Sequence, residues 1–293
     1  MDTKIRRATR EDVAVLGEIC YRAFCELADH HNFPHEFPNL EVALGIVGSM
    51  ISDPGHYGIV AESNGRVAGS NFMDERSPIA GIGPISVDPE VQNSGAGRAM
   101  MQHMLERVAA NRLPGVRLVQ TAFHNRSFSL YAKLGFEIRE PLSVMVGPPI
   151  RESIPGYTVR AATDEDVAAC DRLHFAVHGH ERGRELRDAI KGYAVGDTGA
   201  GTANVVEHLG RITGYATAIG YGGYAVGESN EELKALIAAA TEFAGCGPQI
   251  PSRNGELLRW CYSKGLRLMQ LNTLMSVGLY NEPRGPFIPS ILY

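Results

Sequence analysis

Residues 85–106 read ISVDPEVQNSGAGRAMMQHMLE. An apolar run ends at Asp88-Pro89, a short polar stretch follows, and Gly95-Ala96-Gly97 leads into Arg98 and a run with helical character. A helix N-terminus presents N–H groups without intrahelical partners and carries a partial positive charge. Small residues ahead of it let a ligand approach the backbone, and glycine adopts the conformations that turn N–H groups inward. Asn93, Ser94, Gly95, Ala96 and Gly97 are all small or short and polar. The stretch therefore predicts an anion cradle of the size of a diphosphate. Two phosphate loops are excluded: no G-x-x-x-x-G-K-[ST] occurs, and residue 100 is Met, so the G-x-G is not completed to G-x-G-x-x-G. A glycine-rich helix cap without a ligand is the competing reading. The strand, the V-x-P and Gln92 at fixed spacing before the glycines weigh against it.

Outward from this stretch, the chain echoes itself. IRRATREDVA (5–14) aligns with VRAATDEDVA (159–168) with seven of ten positions identical. GRVAG (65–69) aligns with GRITG (210–214), and LYAKLGF (130–136), more weakly, with WCYSKGL (260–266). The order is kept while the offset shrinks, as expected of two copies of one fold with loops of different length. The proline-rich VGPPIRESIPGY (146–157 region) suits a connector. Two domains are expected, 1–150 and 151–293.

Within the first copy, Thr9 followed by Glu11-Asp12 reads as a helix N-cap, and Thr163 with Glu165-Asp166 repeats it. HYGIVAESNGRVAGSNFM reads as a hairpin turning at Asn64-Gly65. IGPISV is a further strand, GRAMMQHMLERVAAN a helix, GVRLVQTAF a strand, RSFSLYAKL a short helix, and EIREPLSVMV a closing strand or pair. Helices alternating with strands, plus one hairpin, give an α/β fold with a mixed sheet.

The chain has 293 residues and a formal charge of −5, which leaves no basic excess for a nucleic acid partner. Five cysteines without a C-x-x-C pair read as reduced thiols rather than a disulfide framework, and Cys20 and Cys25 as core thiols on the first helix. The N-terminus has no apolar core of signal-peptide length, and no apolar run approaches the roughly 20 residues of a membrane span. A cytoplasmic protein with no membrane partner is expected.

The spacing Val87-x-Pro89-x-x-Gln92-x-x-Gly95-x-Gly97-Arg98 resembles the acetyl-CoA signature of the GNAT N-acetyltransferase superfamily, and SFSLYAKLGF (127–136) resembles that family's second motif. The resemblance implies two tandem GNAT-like domains, each a mostly antiparallel mixed sheet flanked by helices, with acetyl-CoA as cosubstrate and no metal. It implies that the backbone of Ile85, Ser86 and Val87 pairs with the pantetheine arm as an added strand would. The N–H groups of Gln92, Asn93, Ser94, Gly95, Ala96, Gly97 and Arg98 would grip the pyrophosphate. Tyr131 matches the tyrosine that protonates the departing thiolate, the competing reading being a core aromatic. The family usually has Asn seven residues before that tyrosine. Here His124 stands there and Asn125 follows, both candidate donor contacts.

No carboxylate lies on GIGPISV, so Asp74, Glu75, His124 or a water chain are the candidate bases. DHHNFPHEFPN (29–39) reads as a loop bordering the acceptor, without H-E-x-x-H metal spacing. In the second copy, Glu228, Glu231 and Glu232 occupy the helix start and Cys261 stands at the position of Tyr131, which reads as a degenerate domain. The expected activity is direct acetyl transfer from acetyl-CoA to a primary amine in a ternary complex. The acceptor is a small-molecule or peptide amine, and a homodimer is an allowed assembly. A non-catalytic acyl-CoA sensor or scaffold is the alternative. The apolar end Ile291-Leu292-Tyr293 is expected to pack against the protein, with a terminal carboxylate near the acceptor as the sharper expectation.

Overall fold

The computed structural model describes residues 3–192 and 202–292. They form two units. The first takes in residues up to Glu137 together with Met275–Leu279 and Leu292; the second takes in Ile138–Leu274 and Tyr280–Ile291.

In the first unit the order is β1 (Thr3–Arg7), α1 (Val13–His31), α2 (Leu40–Ser52), β2 (His56–Ser63), β3 (Arg66–Asp74), β4 (Ile79–Val87), α3 (Ala96–Ala110), β5 (Gly115–Thr121) and α4 (Asn125–Lys133). Thr9 opens a short 3₁₀ turn, Arg10–Asp12, closed by a capping box with Asp12, and α1 follows at Val13. Asn39 caps α2 by accepting from the Val42 N–H at 3.0 Å. The β2–β3 turn places Asn64 and Gly65 both at positive φ (52° and 74°), the two-residue turn whose twist matches the flanking strands. The strands lie in the order β1-β2-β3-β4-β5. The first three pairings are antiparallel and β4–β5 is parallel.

Two faces of this sheet are distinguished by alternation along β4. Ile85 and Val87 pack with the α3 core of Met100, Met101 and Met104. Ser86, between them, turns to Ser70 (Oγ–Oγ 3.3 Å) and to Cys20 of α1. Cys20 is fully buried, and burial pushes its thiol up to about 12, as suits a core residue.

The second unit carries β6 (Glu137–Val146, of which Ile138 onward belongs here), β7 (Thr158–Ala161), α5 (Val167–His178), α6 (Gly183–Ile190), β8 (Asn204–His208), β9 (Arg211–Ala216), β10 (Ala225–Gly227), α7 (Asn230–Ala239), β11 (Gln249–Pro251), α8 (Gly255–Ser263), β12 (Arg267–Gly278, whose end from Met275 belongs to the first unit) and β13 (Phe287–Ile288). From β7 to α8 the succession repeats that from β1 to α4. The repeated sequence builds repeated contacts. Arg6 bridges Asp12 (2.8 Å) and Glu62 (2.5 Å), and Arg160 bridges Asp166 (2.7 Å) and Glu207 (2.8 Å). Thr163 and Asp166 form the same capping box as Thr9 and Asp12. Gly135 and Gly265 end α4 and α8 at positive φ (92° and 85°). The helix ends align Cys261 with Tyr131: each accepts at its carbonyl from the residue five on, Leu266 and Phe136.

Candidate functional site

The start of α3 is open. Asp88 accepts from the Glu90 N–H at 3.1 Å, which turns the chain away from β4. Asn93 (φ 67°) and the N-cap Gly95 (φ 92°) then adopt the left-handed backbone that brings it into the helix. Gly95 contributes no capping side chain, and the Ala96 N–H has only the Ser94 hydroxyl at 3.4 Å. Among the described residues no acceptor lies on the N–H groups of Gly97 and Arg98. Arg98 is exposed, and Arg126 of α4 donates to the Gln92 side chain at 2.9 Å, so two guanidinium groups flank this N-terminus. Arg126 was not singled out in the sequence; its signal was a basic residue directly before the 127–136 motif.

β4 leads into that N-terminus with one edge free. It pairs with β3 through Ile85–Val87 (opposite Asn71, Ser70 and Gly69), but with β5 only through Ile79–Gly81. Beyond Gly81 the two parallel strands part, so Ile85, Ser86 and Val87 keep an unpaired backbone edge among the described residues. Leu292 lies where they part: a Cβ on Gly81 would run into the Leu292 carbonyl oxygen, and one on Gly83 would meet its Cδ2 at 3.5 Å. Leu292 is buried, as expected of an apolar tail; Tyr293 and the expectation about a terminal carboxylate lie outside the described residues.

α4 carries the remaining candidates. Gln120 and Ser127 both donate to the His124 carbonyl (3.0 Å each), fixing the passage from β5 into α4. His124 is the N-cap of α4 with non-helical backbone (φ −88°, ψ 74°), and Tyr131 lies within the helix, seven residues on. Asn125 and Arg126 point outward and are exposed. Tyr131 is buried in the α3–α4 core beside Phe136, and burial raises its phenol well above the ordinary value. Burial, with Arg126 and His31 adding to it, lowers the His124 imidazole to about 4, so it stays neutral at physiological pH.

Of the other base candidates, both carboxylates at the end of β3 are committed to ion pairs. Asp74 is held by Arg76 at 2.6 Å; burial pushes its pKa up, but Arg76 and then His56 more than offset this and leave it lowered. Glu75 makes a two-pronged bridge to Arg107 (2.7 and 2.8 Å). The loop between α1 and α2 reaches the end of β5 instead: Phe33 stacks on Phe123 with centroids 4.0 Å apart, and His31 lies 5.1 Å from Phe123. His35 pairs with Asp29 at 2.7 Å, and among the described residues no group of three His, Cys, Asp or Glu is placed to hold a metal ion.

The equivalent place in the second unit is filled by its own chain. Ser229 caps α7 by accepting from the Glu231 N–H (3.2 Å), and Glu232 folds back onto the Ser229 N–H (2.8 Å) and hydroxyl (2.6 Å). The helix start is thus self-satisfied and negative. Beside β10, where β4 has a free edge, β13 pairs antiparallel (Ala225 with Ile288, Val226 with Phe287) and packs against β11. Gly227 N–H donates to Pro286 O at 3.2 Å and the Gln249 side chain to Pro289 O at 3.4 Å.

The family model described as an acetyltransferase (GNAT) domain matches residues 54–138, from the start of β2 to the start of β6. Over that stretch the first unit is similar to a GNAT acetyltransferase domain. Mycothiol acetyltransferase from Salinispora arenicola (strain CNS-205) is 30% identical over 141 residues, 45% of this chain and 44% of that protein, so the chain matches less than half of that relative's length. Among solved structures, an acetyltransferase candidate from Pyrococcus horikoshii superposes with a TM-score of 0.69 at 17% identity, covering 94% of this chain and 89% of its own. A tandem GNAT protein from the clavulanic acid biosynthesis pathway gives 0.55 at 14% identity, covering 94% and 98%. At these identities the likeness is one of fold, and it extends through both units: the GNAT fold occurs in tandem. No helix among the described residues is long and apolar enough to cross a membrane.

Proposed function

We propose that the protein is an acetyl-CoA-dependent N-acetyltransferase acting on a primary amine, with residues 1–150 as the catalytic copy and 151–293 as the degenerate one. One observation carries this: an uncapped helix start and an unpaired strand edge meet end to end in the first unit, and both counterparts are occupied in the second. The residues fit the donor. The N–H groups of Gly97 and Arg98 would hold the diphosphate, with Arg98 and Arg126 supplying charge. The free edge of Ile85–Val87 would take the amides of the pantetheine arm. The donor supplies an acyl group on a thiolate leaving group, and the chain supplies the rest.

Tyr131, which the ordinary phenol pKa of about 10 already keeps protonated at physiological pH, would give its proton to the sulfur as CoA departs, a thiol of ordinary pKa about 8.5. The attacking amine, of pKa about 10, must first lose a proton. His124 is neutral and not tied to a carboxylate, so a water on it would relay that proton, although the burial that keeps the imidazole neutral also makes it a weak base. Asp74 and Glu75 would have to break ion pairs to do so. Holding donor and amine together accounts for much of the rate, which favours direct transfer in a ternary complex over a covalent enzyme intermediate. The buried Cys20 is not poised as a nucleophile. Thiol release from acetyl-CoA across a broad amine panel tests the reading: acceptor-dependent release supports it. Donor binding without such release across the panel would favour an acyl-CoA sensor instead.

A further inference from the structure

The position of Leu292 bears on which acyl group the first unit accepts. The donor arm has a direction if the α3 cradle holds the diphosphate: it starts beyond Val87 and runs back along β4 past Ile85. Six residue steps separate Val87 from Gly81, about 20 Å of strand, which an extended pantetheine arm with its acyl group nearly spans. The parting of β4 from β5 ends at the Gly81–Arg117 pair. Leu292 stands at that end, with its Cβ 3.3 Å from a Cβ position on Gly81 and its Cδ2 3.5 Å from one on Gly83. Both glycines are bare where other residues would present a side chain, and the space they leave is taken by one buried leucine. Leu292 belongs to the first unit.

We propose that Leu292 walls the acyl end of the donor slot and sets the acyl-chain length, admitting acetyl and rejecting longer acyl groups. This rests on the donor site proposed above. A rigid apolar wall discriminates single methylenes by about 10- to 200-fold, because a longer chain must displace packed atoms and a shorter one leaves a gap. A Cβ on Gly81 would first meet the Leu292 main-chain carbonyl, and one on Gly83 would meet the Cδ2 of its side chain, so it is at Gly83 that the leucine side chain faces the strand. The wall is therefore the leucine side chain itself, and its volume should set the selectivity.

The test is the ratio of kcat/KM for propionyl-CoA to that for acetyl-CoA, with one amine acceptor, in wild type, Leu292→Ala, Leu292→Val and Leu292→Phe. The ratio should rise at least about 10-fold in Leu292→Ala, rise less in Leu292→Val, and fall in Leu292→Phe. A purely structural leucine would change activity toward both donors together. Should Leu292→Ala fail to fold, Leu292→Val and Leu292→Phe still report the two directions. A ratio within twofold of wild type in every folded variant would overturn the proposal while leaving acetyl transfer intact. Absence of transfer from any acyl-CoA in the wild type would instead overturn the acetyltransferase reading on which it rests.

Discussion

Replacing Gly97 with glutamate should separate ligand binding from folding. Gly97 occupies the second position of α3, has an ordinary helical φ, and a Cβ there would meet Val87 Cγ2 at 3.6 Å and Leu130 Cδ2 at 3.8 Å, normal contact distances. A carboxylate in the first turn of a helix is favourable by about 0.3–1 kcal/mol, and glutamate is a better helix former than glycine. The melting temperature should therefore stay level or rise. For the donor the consequences run the other way. The N–H groups of Gly97 and Arg98 would each contribute about 1.5–3 kcal/mol as hydrogen bonds to a charged group, and the new carboxylate competes for both. A like charge about 4 Å from the diphosphate adds about 4 kcal/mol of repulsion at an effective dielectric near 20. Relaxation of a long side chain reduces this sum, so about 4 kcal/mol is the expected net loss, or roughly 10³-fold in Kd. Calorimetric titration of acetyl-CoA beside thermal melting of the same preparation reads both quantities. An affinity within threefold of wild type in a well-folded Gly97→Glu protein would refute the cradle.

Tyr131→Phe should lower kcat about 10²-fold with little change in donor affinity or melting temperature, since among the described residues the hydroxyl has no hydrogen-bond partner to lose; near wild-type turnover would return Tyr131 to the core alone. Arg126→Ala should weaken acetyl-CoA binding about 3- to 10-fold, less at high salt, by removing a flanking charge and freeing Gln92; an unchanged Kd at low salt would contradict this. His124 is lowered to about 4 from an ordinary 6.5, so between those values the unfolded chain binds a proton that the folded chain does not, and stability falls as pH drops through the window. His124→Asn should flatten that slope in thermal melts between pH 6.5 and 4, and an identical slope would contradict the burial of the imidazole. Because β13 fills the strand edge of the second unit and Ser229 and Glu232 fill its helix start, donor titration should give one site per chain in wild type and none in Gly97→Glu; two sites, or one surviving in the variant, would contradict it.

The parts of this account legible in the sequence are those fixed by local chemistry. The Asn64-Gly65 turn, the Thr9 and Thr163 caps, and the glycines at 95 and 97 each follow from what a short segment of backbone requires. The repeated Arg, Thr and Asp of the two halves end in matching Arg6–Asp12 and Arg160–Asp166 pairs, contacts that span only six residues. The parting of β4 from β5 was not legible, since it depends on a strand more than thirty residues away. Nor was β13: a dipeptide between prolines carries no strand periodicity, and its role comes from the edge of β10 that it covers. α2 was passed over because ALGIVGSM mixes β-branched residues with two glycines, and its helix is held by the Asn39 cap and packing on α1. The fate of Glu75 was hidden for a similar reason, as Arg107 lies on a helix far along the chain.

The central claim is that the first unit holds an acyl-CoA across the start of α3 and the free edge of β4. A crystal structure of the protein with CoA tests it most directly. The account predicts one CoA per chain, its diphosphate within hydrogen-bond distance of the Gly97 and Arg98 N–H groups, its pantetheine amides alongside Ile85–Val87, and its thiol end toward Leu292. A CoA whose diphosphate lies elsewhere, or whose arm lies along Ala225–Gly227 with β13 displaced, would contradict it.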